Sequence, residues 1–212
     1  LVIIIIAVVC LLGYVGYNIY KDHNTTQGAS DYVDAFIGET ETEKPSTENQ
    51  TATNENVELP DLANTSTEGQ VATKKREKYK GFDVLGTIEI PATSVKYPVL
   101  DKTTKKSLDT AVSALYPESA ELNTSGNVVI VGHNYRNGTF FSNNKKLKNG
   151  DKIYITDLYG KRITYVIYNI FEANQNDTSF YNRDTNGAKE ITLSTCTDAS
   201  NDMRLIIEAK EQ

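Results

Sequence analysis

Short segments with alternating apolar and polar side chains recur through residues 81–212, and they constrain the fold more than any other feature of the chain. A period of two is typical of β-strands that bury one face and expose the other. Turn signals such as Asn149-Gly150 and Tyr159-Gly160 separate the segments at hairpin spacing. So many short strands in one domain predict a closed barrel or a sandwich. Strands are expected at residues 84–90, 95–100, 127–133, 152–156, 162–171, 190–196 and 203–209, with a helix over 105–115.

The N-terminal segment has a different pattern, because residues 1–20 carry no charged side chain. A helix of that length is about 30 Å long, which matches the hydrocarbon core of a bilayer. Tyr14, Tyr17 and Tyr20 recur at its end, before Lys21, as interfacial aromatic residues do. We therefore expect residues 1–20 to be a single-pass anchor in the cell membrane, with the folded domain outside the cytoplasm.

Other interpretations of this apolar run are weaker. A cleaved signal peptide needs a small-x-small cleavage site, which residues 17–20 do not offer, and a lipoprotein signal at Cys10 would need a small residue in place of Val9. Cys10 is also a poor disulfide partner for Cys196, the second of the two cysteines, because the bond would join a membrane span to a folded domain. Cys196 is thus expected to be a free thiol.

Residues 21–80 have the composition of a solvated linker. Thr, Asn, Glu, Ser and Gln dominate, so this acidic segment cannot bury enough apolar surface to offset the entropy of ordering it. We expect a disordered stalk, with a short helix near residues 32–37. The basic residues between 74 and 80 are expected to be solvated, with contact to an anionic surface polymer as the alternative. The net charge of -6 argues against nucleic acid as a partner.

Three side chains suited to acyl transfer stand at expected strand ends. Cys196 and His133 each end a strand, and Arg204 opens the last one. Alone, each has an ordinary structural explanation: a buried thiol, a hydrogen-bonded imidazole and a solvated guanidinium. Together they offer a thiolate nucleophile, a proton-transferring imidazole and a permanent cation for a developing oxyanion. The enzymatic hypothesis requires the strand of His133 to lie beside those of Cys196 and Arg204.

The residues around these three groups resemble the sortase family. Residues 192–196, Thr-Leu-Ser-Thr-Cys, are similar to the family's T-L-x-T-C signature, and residues 132–134, Gly-His-Asn, resemble the strand end that carries its catalytic histidine. Arg204 matches its catalytic arginine, in the family's order along the chain. Residues 138–151 are similar to the segment after that histidine, and the anchor and stalk match the usual sortase layout. The resemblance covers about residues 81–212.

This resemblance implies a closed eight-stranded β-barrel, mainly β with short helices, that acts as a cysteine transpeptidase. Cys196 would attack a C-terminal sorting signal similar to Leu-Pro-x-Thr-Gly on a surface protein, and a thioacyl enzyme would form. An amine of a peptidoglycan precursor or a pilin lysine would then resolve it, on the outside of a Gram-positive cell. His133 would be the acid/base group and Arg204 the anion-stabilising group. The substrate-binding candidates are Thr195, Asp198 and Asn134.

Two of these candidates have alternative explanations, and the subclass stays open. Thr195 would contribute to the oxyanion site or simply pack within its strand, and Asp198 would orient His133 or be solvated. Ser194 in the signature favours class B, whereas the short interval between His133 and Cys196 is more similar to class A or D. The stalk contains no Asp-Pro-aromatic lid sequence of the kind that indicates class C.

The resemblance also locates specificity and raises the question of a metal. Peptide specificity is expected in residues 170–186, by analogy with the family's substrate loop. Some sortases use Ca²⁺ in a carboxylate-bearing loop, and Asp177 and Asp184 lie in the corresponding stretch. Their spacing does not resemble a calcium-binding loop, so no metal or other cofactor is predicted.

Two rival functions share the same residues. A thiol hydrolase or protease would release its acyl group to water even at high amine concentration. A non-enzymatic surface interaction domain would keep Cys196 buried and unreactive towards alkylating reagents.

Overall fold

The computed structural model describes residues 2–42 and 77–212, and it consists of one long helix and a β-barrel. The expected strands are confirmed with bounds that differ by a few residues at most. The helices are α1 (Val2–Thr42) and α2 (Lys105–Leu108), and the strands are β1 (Lys78–Tyr79), β2 (Phe82–Ile90), β3 (Val95–Leu100), β4 (Val112–Tyr116), β5 (Gly126–Val131), β6 (Lys152–Asp157), β7 (Arg162–Asn174), β8 (Lys189–Cys196) and β9 (Met203–Glu211).

The sheet closes on itself. Its strand order is β1-β2-β3-β4-β5-β8-β9-β7-β6, and β6 pairs back with β2, so that eight strands form a closed barrel and β1 only extends one edge of β2. The pairs β3–β4 and β5–β8 are parallel, and the other pairs are antiparallel. This topology confirms the closed, mainly β fold.

The barrel interior is filled with apolar side chains. Ile153 and Ile155 of β6 and Ile191 and Leu193 of β8 are each at most 1% exposed, in the alternation that a strand with one inward face produces. Because this interior is a packed core, substrate chemistry has to take place on the outer face or at the strand ends.

The prediction of a helix over residues 105–115 is wrong for most of that range. Only Lys105–Leu108 are helical, started by a capping box in which Thr104 and Ser107 exchange hydrogen bonds. The chain then enters β4, which pairs with β3 in parallel and β5 antiparallel. The pairing of β4 with both neighbouring strands outweighs the local helix propensity, because strand preference depends strongly on tertiary context.

The N-terminal helix does not end where the apolar run ends. It continues from Val2 to Thr42, so the first part of the expected stalk is helical. Its N-terminal part is long and apolar enough to cross a membrane, and none of that window is buried in the protein. Ala29, Val33 and Phe36, by contrast, are buried against the barrel, which supplies the apolar contact that this polar segment lacks alone. The remaining stalk, residues 43–76, lies outside the described residues.

Candidate active site

Cys196 and Arg204 face each other at the same end of two paired strands. They form the last cross-strand pair of β8 and β9, and Arg204 Nη1 lies 3.3 Å from Cys196 Sγ. The same guanidinium donates from Nη1 to the Asn201 carbonyl at 2.5 Å and from Nη2 to Gln175 Oε1 at 3.4 Å. These bonds hold a permanent cation beside a partly exposed thiol.

His133 comes to the same end of the barrel through the parallel pairing of β5 and β8. Val131 pairs with Ser194, so His133 and Cys196 each stand two residues beyond that pair. Two bonds continue the ladder past it: the Gly132 N–H donates to the Ser194 carbonyl at 3.3 Å, and Thr195 Oγ1 donates to the Gly132 carbonyl at 2.7 Å. The thiol, imidazole and guanidinium therefore stand on three adjacent strand ends, β5, β8 and β9.

Gly132, immediately before the histidine, allows close packing at this point. A Cβ atom there would lie 2.9 Å from both a ring carbon of Phe141 and a methyl carbon of Val112, which is closer than real Cβ contacts. The glycine thus lets the end of β5 press against its neighbours, and this packing sets the position of His133.

A carboxylate and a phenol surround the imidazole. His133 Nε2 lies 3.4 Å from Asp109 Oδ1, and the Tyr135 ring stacks on the imidazole with centroids 4.6 Å apart. The Tyr135 hydroxyl donates to the same Asp109 oxygen at 2.8 Å. Burial, followed by this hydrogen bond and the charge of Asp109, raises the pKa of Tyr135 to about 12. The phenol thus remains a donor to Asp109 at neutral pH.

The three substrate-binding candidates connect the histidine and cysteine segments to each other. Asn134 Nδ2 donates to the Cys196 carbonyl and to Asp198 Oδ1, both at 2.9 Å. Asp198 also pairs with Lys145, and hydrogen bonds from Lys145 and Asn134 lower its pKa. The Thr195 side chain is buried and bound to the Gly132 carbonyl. The carboxylate that contacts His133 is accordingly Asp109, whereas the side-chain partners found for Asp198 are Asn134 and Lys145.

Arg136 strengthens the same connection. Its Nε donates to the Asp198 carbonyl at 3.1 Å and its Nη2 to the Thr197 carbonyl at 3.2 Å. The residue adopts a φ of 58°, in the left-handed region that non-glycine residues rarely occupy. The chain after His133 is therefore held against the chain after Cys196 by side-chain bonds from both Asn134 and Arg136.

A second apolar cluster lies close to these groups, between the strands β5, β7 and β9 and the loop that follows β7. Ile206 of β9, Val129 of β5 and Ala173 of β7 are buried there beneath Phe180, which belongs to the loop between β7 and β8. Val131, Phe171 and Tyr181 pack around them. The cluster is separate from the barrel core, and it packs part of the region expected to determine specificity against the outer face of the barrel.

The loop between β7 and β8 is tied down by Arg183. Its guanidinium pairs with Glu190 at 2.6 Å and with Glu208 at 3.1 Å, and it donates to Asn127 Oδ1 at 3.1 Å and Thr192 Oγ1 at 3.0 Å. The Arg183, Glu190 and Glu208 side chains are 19%, 11% and 7% exposed, so this ion cluster is largely withdrawn from water. One cation thus anchors the loop to β5, β8 and β9.

The described residues contain no group of three or more His, Cys, Asp or Glu side chains arranged to hold a metal ion. Asp177 and Asp184 lie in the stretch that corresponds to the Ca²⁺ loop of some sortases. Each carboxylate accepts a hydrogen bond from the backbone N–H of the residue two positions further along the chain. They cap their own turns, as Asp side chains commonly do.

Several functional residues were not found from the sequence. Asp109 stands 24 positions before His133 and carries no local signal. Gln175 and Arg183 are loop residues whose partners lie on other strands. Tyr135 lies in the polar stretch after the histidine. Its aromatic ring, two positions beyond His133, is the feature of the sequence that could have indicated it.

Comparisons with known proteins agree with this geometry. The family model described as "Sortase domain" matches residues 88–212. Sortase A of Bacillus anthracis is 29% identical over 154 residues, which cover 72% of this chain and 67% of that protein. Among solved structures, a lid mutant of sortase A from Corynebacterium diphtheriae is similar with a TM-score of 0.55 and 31% identity, over 61% of this chain and 70% of that one.

A Clostridium perfringens sortase D5 transpeptidase is similar to the same extent, with a TM-score of 0.55 and 29% identity over 61% of this chain and 79% of that one. The family match alone spans more than half of the sequence and includes the histidine, cysteine and arginine at the barrel rim. The chain therefore belongs to the sortase family of cysteine transpeptidases.

Proposed function

We propose that Cys196, His133 and Arg204 are the catalytic residues of this transpeptidase, as nucleophile, acid/base group and anion-stabilising group. The observation that supports this most directly is the 3.3 Å contact between Arg204 Nη1 and Cys196 Sγ, at the rim where the β5 end carrying His133 also lies. A permanent cation this close to the sulfur can also reach the carbonyl oxygen on which negative charge develops during attack.

The reaction proceeds in two balanced steps. The Cys196 thiolate attacks a peptide carbonyl carbon, the C–N bond breaks, and the His133 imidazolium gives its proton to the leaving amine. An incoming amine then attacks the thioester, the C–S bond breaks, and the imidazole takes the proton that the new amide loses. Arg204 stabilises the oxyanion in both steps, and the enzyme returns to its starting charge state.

The proposed substrate is a surface protein with a C-terminal sorting signal similar to Leu-Pro-x-Thr-Gly. The partly buried apolar side chains at the edge of the Phe180 cluster, among them Val131 and Phe171, could contact the aliphatic part of such a signal. The proposed acceptor is an amine of a peptidoglycan precursor or a pilin lysine. A bound, oriented amine is needed to compete with water, because water is far more concentrated.

The proposed location is the outer side of the cell membrane, with α1 as a single-pass anchor. The apolar window of α1 is long enough to span a bilayer and none of it is buried in the protein, which supports a membrane position.

The test uses the full chain in detergent or lipid vesicles, incubated with sorting-signal peptides and an added amine. We expect an amide product that requires the amine, and mass spectrometry should find the acyl fragment on Cys196. Cys196→Ala should abolish both. Full activity of Cys196→Ala would contradict the proposed roles, and hydrolysis that persists at high amine concentration would favour a thiol hydrolase. A native thiol that resists mild alkylation, together with no cleavage of any peptide, would favour an interaction domain.

A further inference from the structure

The second half of α1 presents one continuous face to the barrel. The centre of this face consists of Asp22, Thr26, Ala29, Val33 and Phe36, spaced by four, three, four and three positions, and Tyr32 and Asp34 make further contacts beside it. This spacing places all five on one side of a helix. Ala29 and Val33 are 0% exposed and Phe36 is 3% exposed, so the contact is a packed interface. We call residues 21–37 the docked segment.

Polar contacts fix the position of the docked segment along the barrel. Asn137 Nδ2 donates to Asp22 Oδ2 at 2.8 Å, and Thr26 Oγ1 and the Tyr97 hydroxyl are hydrogen-bonded at 3.3 Å. Further along, Asp34 pairs with Lys96. Three contacts spread over twelve helix positions, on β3 and on the loop after His133, hold the helix in one register.

Two of these contacts lead directly to the chain that carries His133. Asn137 lies in the loop after the histidine, and the Tyr97 hydroxyl accepts a hydrogen bond from the Phe140 N–H at 3.1 Å. The Phe140 ring stacks on Tyr97 with centroids 5.2 Å apart and meets the His133 ring edge-on at 6.4 Å. The docked segment therefore supports the loop of residues 133–141 on the side facing α1.

The helix also sets a height above the membrane. Tyr20 is the last of the three interfacial tyrosines, and Asp22 lies two residues later, about 3 Å further along the helix axis. The headgroup layer of a bilayer is about 5–7 Å thick on each side. Asn137, bonded to Asp22, is thereby held at about the depth of the lipid headgroups.

We infer that the docked segment is a rigid spacer that holds the loop of residues 133–141, and with it the catalytic rim, at the lipid headgroup surface. The enzyme then acts on signals presented within a few residues of the membrane. This inference rests on the proposed membrane anchoring of α1, and it concerns the geometry of presentation rather than the chemistry at Cys196.

The activity test varies two heights above the membrane, that of the barrel and that of the substrate peptide. The full chain is placed in phosphatidylcholine–phosphatidylglycerol vesicles with a sorting-signal peptide anchored by its own membrane helix, through spacers of increasing length. Seven helix-forming residues inserted between Tyr20 and Lys21 raise the barrel by about 10 Å and nearly preserve the helix face. We expect the optimal spacer to lengthen by about three extended residues, with the rate on a soluble peptide unchanged within about twofold. An optimum that does not move would overturn the inference.

A second readout does not depend on activity. The chain contains no tryptophan, so Tyr135→Trp introduces a single tryptophan, which can be excited selectively, in the loop after His133. Lipids brominated near the headgroup should quench this tryptophan in the chain without the insertion, and the seven-residue insertion should remove most of the quenching. Equal quenching with and without the insertion would contradict the rigid spacer even if the enzyme turned out to have another substrate.

A matched pair of variants tests docking itself. Ala29→Asp places a charge in the interface, whereas Ala35→Asp makes the same change on the exposed side of the same helix. We expect Ala29→Asp to weaken the quenching of the introduced tryptophan and to flatten the dependence on spacer length, and Ala35→Asp to alter neither. The same result for both variants would show that the buried stripe does not hold the barrel in place.

Discussion

Arg204 illustrates why the identity of a single side chain matters at this site. One of its nitrogens contacts the Cys196 sulfur and the Asn201 carbonyl, while the other reaches Gln175. Lysine has the same charge, but it lacks a planar fork that can meet several partners at once. The geometry of the cation, in addition to its charge, is therefore expected to determine the rate.

Arg204→Lys is predicted to lower kcat/KM about 100-fold, the usual cost of losing one oxyanion donor. Initial rates with a sorting-signal peptide and an amine measure this. The matched control is Arg162→Lys, whose side chain pairs with Glu89 and stacks on Tyr154, and it should stay within about twofold of the parent. A rate within threefold for Arg204→Lys would mean that charge alone is sufficient.

Asp109 and Tyr135 form the environment of the imidazole. The carboxylate lies 3.4 Å from His133 Nε2 and accepts a hydrogen bond from the phenol that stacks on the ring. A carboxylate in this position orients the ring, as in other nucleophile–histidine sites. Asp109 is thus a positioning residue that acts through His133.

Asp109→Ala is predicted to lower kcat about tenfold with little change in KM, because a misdirected imidazole affects proton transfer more than binding. Tyr135→Phe keeps the stacked ring and loses only the hydroxyl, so it should cost about threefold. Asp31→Ala, an exposed change on α1, is the control for loss of an aspartate. If KM rises and kcat stays constant in Asp109→Ala, the carboxylate binds substrate instead.

At the scale of elements, the loop between β7 and β8 depends on one ion cluster. Arg183 neutralises two carboxylates, Glu190 and Glu208, on the outer faces of β8 and β9. Burial lowers the pKa of Arg183, but the charges of Glu208, Tyr168 and Glu190 outweigh this and raise it overall. The guanidinium also donates to the Phe180 carbonyl, so it fixes the loop residue that covers the apolar cluster of Val129, Ala173 and Ile206.

Arg183→Ala is predicted to destabilise the fold by about 3 kcal/mol, because it leaves two largely buried carboxylates without their cation. Urea unfolding followed by circular dichroism measures this. The combined change Arg183→Ala with Glu208→Gln should recover part of the loss, and KM should rise more than kcat falls in either variant. A loss of less than about 1 kcal/mol in the free energy of unfolding would show that water solvates Glu190 and Glu208 well enough to replace the guanidinium.

A helix or strand could be predicted where its sequence pattern favours the same structure as its tertiary contacts. The strand expected over 95–100 has the bounds of β3, because its alternation ends at turns on both sides. β4 was missed, since a genuine capping box at Thr104 precedes it and Val112–Tyr116 becomes a strand only through its neighbours. The docked segment had a signal in the spacing of Ala29, Val33 and Phe36, but its polar composition hides a helix that needs the barrel for stability.

For the whole molecule, closure of the barrel depends on Gly86. This residue pairs with Asp157 where β2 meets β6, at a register shift between β2 and β3. Its φ of 149° is one that L side chains rarely adopt, and an added Cβ would lie 2.2 Å from the Thr156 carbonyl oxygen. The obstacle is backbone and cannot move aside without opening the ladder.

Gly86→Ala is predicted to destabilise the protein by about 3 kcal/mol or more, or to prevent folding, because the β2–β6 ladder cannot form around the clash. Thermal unfolding and the yield of soluble protein measure this. Gly28→Ala is the control: it lies in α1, where the nearest atom to a new Cβ is the Tyr79 hydroxyl at 3.9 Å. That change should leave stability equal or slightly higher, since alanine favours a helix.

The sequence by itself determined the strand periodicity, the apolar N-terminal run and the chemical types of the three rim residues, because these are local properties of neighbouring positions. Only the tertiary structure decided that Asp109 meets His133, that Arg183 anchors the loop between β7 and β8, and that α1 docks beside residues 133–141. Such contacts join residues far apart in the chain, and they depend on strand register and on the shapes of packed surfaces. A one-residue change of register in β8 or β9 would move Glu190 or Glu208, the partners of Arg183, to the opposite face of the sheet.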